Sequence, residues 1–227
     1  MATFTDNFNR PDGAAGSPWS ALDFGGLSSQ GIVSNQYEIT SSGDFFGTSD
    51  GAAMLSKTAE SYASYYTAEM VVPSLTGVSL FQRYIIIRDT SDANSAFIAV
   101  TRRGATETDI VCRPSAGAST QGMTVGFGIA AGDRIAIYYD GLNGLYYCAV
   151  NGFVFAPAIS LAFSPGVVGI AASGGGTTTA DSWAEYDDEA IPSFGNGSDS
   201  GGSGAGISRE LLDAVAGHGG HRIRSTA

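Results

Sequence analysis

Hydrophobic and polar positions in this chain alternate with a period of two along most of its length, which is the spacing of β-strands. Thr3 to Phe8 opens the pattern. Ile32 to Ile39 places Val33, Asn35, Tyr37 and Ile39 on one face, and Tyr62 to Val72 and Leu80 to Arg88 are long β-rich runs. Ser95 to Arg102 sets Phe97, Ala99 and Thr101 against Ile98 and Val100, and Asp109 to Arg113 and Met123 to Ile129 follow. The region 133–155 is the clearest: DRIAIYY, a DGLNG turn, LYYCAV, an Asn151-Gly152 turn, then FVF. Asp-Gly and Asn-Gly turn cheaply through positive φ, so this is a β-meander of two hairpins. Val167 to Ala172 and Ser182 to Tyr186 supply the last strands. No helical period is sustained before residue 207, and regularly spaced strands with turn signals predict an antiparallel sandwich rather than a parallel α/β sheet.

Composition then changes. Residues 194–206, FGNGSDSGGSGAG, read as a flexible Gly/Ser linker with a reach of about 20 Å. The expected organisation is a β-sandwich over 1–193, the linker over 194–206 and a docking segment over 207–227. A short helix is expected at about 208–216, between a Ser208 cap and a Gly217 stop. It is too short to stand alone in water. Leu211, Leu212 and Val215 form its apolar face and Arg222 and Arg224 follow, so these five residues are expected to dock on a partner.

Net charge is −11, from 11 basic and 22 acidic side chains, and only Lys57 among the basic ones is a lysine. Clustered cations for phosphate are missing from the pattern, so no nucleic-acid partner is expected. No apolar run has the length of a membrane span. Met1 leads directly into TFTDNF without a basic or apolar leader, which predicts a chain not exported by the general route. Cys112 and Cys148 both lie in apolar strand-like runs and read as buried thiols, with a disulfide as the alternative.

The opening TFTDNFNRPDG with GSPW, the hairpins GDRIAIYYDG and LYYCAVNG at 132–152, and GVVGIAAS with DSWAEYDD at 166–188 together resemble the concanavalin A-like, or laminin-G-like, jelly rolls. The resemblance covers about residues 1–192. It implies an all-β sandwich of two curved antiparallel sheets, with the short helical or extended tail appended. With Arg-rich, Lys-poor usage and a Gly-rich tail, the chain also resembles minor tail or decoration proteins of tailed bacteriophages. That resemblance implies a virion structural protein, a homo-oligomer in the particle, held to other virion proteins through its C-terminal segment and able to contact host-surface glycan. The alternatives are a glycan-binding module without a structural role, and a glycoside hydrolase of the retaining glucanase type.

Candidate chemistry is sparse. Glu185, Asp187 and Glu189 alternate onto one strand face, similar to the E-x-D-x-E signature of retaining glucanases, whose carboxyls act about 5–5.5 Å apart. Here the stretch closes the domain instead of lying mid-chain, and Trp19 and Trp183 are the only tryptophans for a cleft. These three acids, with Tyr62, Tyr65 and Tyr66, are therefore expected as ligand-contacting residues, with no catalytic residue and no enzyme activity assigned. Tyr84, Tyr138, Tyr146 and Tyr147 add further rings, which either stack on sugar or pair across strands. Structural calcium at the acidic stretch is an option by ligand type alone, but no EF-hand spacing is present. His218 and His221, the only histidines, lie in the tail, so neither a Ser/His/Asp triad nor a histidine metal site is expected, and no cofactor.

Overall fold

The computed structural model describes residues 2–24, 27–41, 53–73, 82–172 and 177–187, with no helix among them. The strands are β1 (Ala2–Asp6), β2 (Ser20–Asp23), β3 (Leu27–Val33), β4 (Gln36–Ser41), β5 (Ala53–Thr58), β6 (Tyr65–Val71), β7 (Gln82–Arg88), β8 (Phe97–Arg102) and β9 (Thr108–Arg113). They continue with β10 (Gln121–Val125), β11 (Arg134–Asp140), β12 (Leu145–Val150), β13 (Phe153–Val154), β14 (Ile159–Ser160), β15 (Val167–Ala172), β16 (Thr177–Ala180) and β17 (Ser182–Asp187). The 208–216 helix, the docking residues Leu211, Leu212, Val215, Arg222 and Arg224, and Glu189 lie outside the described residues.

Two large antiparallel sheets form the sandwich. One runs β1-β17-β6-β11-β12-β13, with β14 also on β12; it is called here the terminal sheet because it joins the first and last strands. The other runs β10-β9-β8-β7-β15-β5-β2, and β16-β4-β3 form a small third sheet. The period-two alternation turns one row of each large sheet inward. Ile85, Ile87, Ile98, Val100, Ile110, Val168 and Ile170 meet Tyr66, Ala68, Met70, Ile135, Ile137, Tyr139, Tyr146 and Trp183 in one core. Cys112 and Cys148 are buried in that core as free thiols.

The meander expected at 133–155 is present as β11, β12 and β13, with Asn151 and Gly152 both at positive φ (52° and 77°). The single strand expected over Ile32 to Ile39 is corrected. Ser34 and Asn35 adopt φ of 53° and 62° and turn the chain, so β3 and β4 form a hairpin. Asn tolerates that left-handed conformation, and alternation alone passes through such a turn unseen.

Candidate functional site: a polar cleft on the terminal sheet

The alternation expected for Glu185 and Asp187 holds, but it points inward. Glu185 is fully buried, and its carboxylate accepts four hydrogen bonds. Lys57 Nζ (2.6 Å) and Trp183 Nε1 (3.0 Å) donate to Oε1, and Tyr66 OH (2.6 Å) and the Glu60 amide (2.9 Å) to Oε2. Lys57 completes its own set with Thr58 O and the Glu60 carboxylate. Lys57 stands on β5 and Glu185 on β17, so this ion pair crosses the core from one sheet to the other. Asp187 lies at the rim, where it accepts the Ala63 amide at 2.8 Å. The expected ligand role of Glu185 and Tyr66 is thereby corrected: both are consumed by an interior network. Burial first, then the adjacent Glu185 carboxylate, hold the Tyr66 phenol well above its usual range.

The tyrosines do not share one face. Tyr66, Tyr139 and Tyr146 point inward, with Tyr62 packed on Tyr66 and Tyr139 at 5.4 and 5.8 Å. Tyr65 occupies the opposite, outward row of β6, and Tyr138 and Tyr147 pack with Ala136, Ala149 and Val154 on the outward side of the same sheet. The Tyr84 side chain lies outside the described residues.

A different set of residues does converge. The outward row of the terminal sheet pairs Thr5 with Ala184, Ala184 with Glu69, and Glu69 with Ala136. Small side chains at Ser182 and Ala184 lower the floor there. The result is a cleft of about 560 Å³, within the usual range for a small-molecule site. Its walls come from Asn7, Arg10 and Pro18 on the β1 side and from Glu69, Arg134 and Tyr186 across the sheet. Glu69 is held by Arg134 Nε at 3.3 Å and by a long contact from Tyr186 OH at 3.5 Å, and its side chain is 13% exposed. On the other wall Asp6 accepts Trp19 Nε1 (2.7 Å), the Phe8 amide (2.8 Å) and Arg10 Nη2. Asp6 thus fixes the wall, whereas Glu69 presents a carboxylate to the cleft.

Sequence reasoning missed this site because its members are scattered from Asn7 to Tyr186 and share no motif. The only signal was strand parity: Glu69 and Tyr186 fall on the polar row of strands whose other row is apolar. The outward row of the other large sheet, β10-β9-β8-β7-β15-β5-β2, carries a single carboxylate among the described residues, Asp109, with Arg103 Nη1 3.7 Å away.

No family model matches the chain, and no curated protein sequence does. Solved structures do match. A non-specific endo-β-1,3(4)-glucanase of family GH16, SCLam, aligns with a TM-score of 0.55 at 11% identity, over 82% of this chain and 90% of that one. LamAcat from Zobellia galactanivorans aligns at 0.52 and 10%, over 82% and 97%. A structure described with endo-acting O-glycanases of the human gut microbiota aligns at 0.56 and 8%, over 82% and 98%. At such identities the likeness establishes the fold: an all-β jelly roll of the concanavalin A-like kind, whose neighbours are GH16 glucanases and related glycan-active proteins. Two sequence expectations change. The expectation that the chain is not an enzyme is overturned, since its fold neighbours are glycoside hydrolases. The weight placed on a virion role also shifts, because these neighbours are glycan-active proteins rather than virion components.

Proposed function

We propose that this chain is a carbohydrate-active protein that takes a saccharide segment in the cleft over Ala184. The observation that carries the reading is the convergence of Glu69, Arg134, Tyr186 and Asn7 on one cavity of about 560 Å³. Sugar hydroxyls need paired donors and acceptors, and a carboxylate held beside a guanidinium supplies both. The Tyr186 ring adds an amphipathic surface suited to a pyranose face. The scaffold, shared with glucanases and an endo-β-galactosidase, supports the carbohydrate class.

Hydrolysis of the bound saccharide is favoured by Glu69, a mostly buried carboxylate on the cleft floor that can take a proton from an attacking water. The second carboxyl lining the cleft is Asp6. The test is a polysaccharide array with the intact chain, followed by reducing-end release on whatever binds. Tyr186→Ala should weaken binding by about tenfold or more, and Glu69→Gln should abolish cleavage while binding stays within about threefold. Absence of binding to every polysaccharide at millimolar saccharide units overturns the proposal.

Docking through Leu211, Leu212, Val215, Arg222 and Arg224, and with it placement on a virus particle, stands as a separate proposal supported by the linker and amphipathic segment of the sequence. Failure of a chain lacking 207–227 to enter particles would support it; normal incorporation would remove it.

A further inference from the structure

We infer that the cleft on the terminal sheet selects an acidic saccharide, one carrying a carboxylate or sulfate group. This rests on the carbohydrate reading above and names its substrate class.

The argument begins with where positive charge reaches the surface. The chain has only 11 basic side chains in 227 residues and a net charge of −11. Among the described residues most of its cations are interior: Lys57, Arg88, Arg102 and Arg113 are each less than 9% exposed. Among the described side chains, three arginines have a third or more of their surface exposed: Arg10 (35%), Arg103 (45%) and Arg134 (57%). Two of those three, Arg10 and Arg134, line the same cleft on opposite walls. In an acidic protein whose surface field repels anions, this is where the exposed cations of the described residues are gathered.

Each guanidinium is also aimed. Arg134 meets Glu69 through Nε, which leaves its two terminal nitrogens without a hydrogen-bond partner among the described residues. Arg10 meets Asp6 through Nη2 and its Nε is buried out of reach, so Nη1 is the nitrogen it has left for a ligand. The carboxylates therefore orient the two forks without using all their donors. Remaining N–H donors on a fixed planar fork match the oxygens of a carboxylate or sulfate, and a neutral sugar would leave part of that donor set unmatched. Asn7, its carbonyl oxygen turned to the Asn9 amide at 3.1 Å, has its amide nitrogen left to donate on the same wall.

The experiment uses the intact chain on immobilised matched pairs: polygalacturonate, alginate, hyaluronate and chondroitin sulfate, each beside its carboxyl-reduced or desulfated form. Preference of about tenfold or more for the acidic member of at least one pair is expected. It should fall as salt rises from about 0.05 to about 0.5 M, as charge screening requires. Arg134→Gln, a substitution at an exposed side chain, should erase the preference, and Arg134→Lys should restore part of it, with folding followed by circular dichroism. Equal binding of acidic and neutral members, or a preference untouched by Arg134→Gln and salt, overturns this inference and leaves the carbohydrate reading intact. No binding to any member, acidic or neutral, when the broader array is also blank, removes both.

Discussion

Glu185 shows how one residue's role turns on which side of a strand faces in. As an acid near the domain end, in the stretch AEYDDE, it reads as surface or site. In the folded chain it is wholly buried and paired with the only lysine, 128 positions away. A buried ion pair is stable only when every lone pair and proton is met, and here they are, by Tyr66, Trp183 and the Glu60 amide. Removing one partner strands the other: Glu185→Gln or Lys57→Met should each lower unfolding free energy by about 3–5 kcal/mol in urea titrations. The double variant Lys57→Met with Glu185→Gln should lose less than the two single losses added, since no stranded charge remains and the amide oxygen still accepts a hydrogen bond. The same interior sets an alkaline limit. Burial raises the phenols of Tyr37, Tyr66 and Tyr146 far above about 10, their usual value. Unfolded tyrosines release protons near pH 10 while these do not, so the folded state binds more protons there. Stability is then fully present below pH 10 and falls above it, by up to about 1.4 kcal/mol per pH unit for each such group. Tyr66→Phe should make that alkaline slope shallower than in wild type, read as unfolding free energy between about pH 9 and 11.5. An unchanged slope would place the alkaline sensitivity elsewhere.

At the scale of elements, strands announced by both alternation and turn chemistry were readable, and those with one signal were not. The β11–β12–β13 meander has both, and its Asn151-Gly152 corner takes the positive φ pair that Asn-Gly favours. Gly152 at φ 77° has open space around its α-carbon, so Gly152→Ala meets backbone strain rather than a clash. Its expected cost is about 1 kcal/mol, measured as a shift in urea midpoint, with the β12–β13 pairing kept. β5 and β16 escaped notice because AMLSKT and TTTA carry weak alternation. The Ser34-Asn35 corner was missed for the opposite reason: the row of Val33, Tyr37 and Ile39 keeps its phase across Asn35. The cleft was illegible because it is a property of register. Ala184 opposite Glu69 and Thr5 is fixed by three strands drawn from both ends and the middle of the chain, and no local window contains them.

For the whole molecule, the question is whether the sandwich alone carries the proposed activity. Every residue assigned to the cleft falls between Phe4 and Tyr186, and the core that sets their register lies within the same span. β1 and β17, the first and last strands among the described residues, pair with each other ahead of the Gly/Ser run. A chain ending at residue 193 should therefore unfold cooperatively, with a melting temperature within a few degrees of the full chain. It should also keep its saccharide affinity within about threefold, since the contacts assigned to the ligand remain. Calorimetry on the two forms, followed by titration with the saccharide that binds best, makes the comparison. A truncated chain that folds but loses binding would show that residues beyond 193 supply part of the site. One that binds normally confines recognition to the terminal sheet, where Arg10 and Arg134 line the cleft over Ala184.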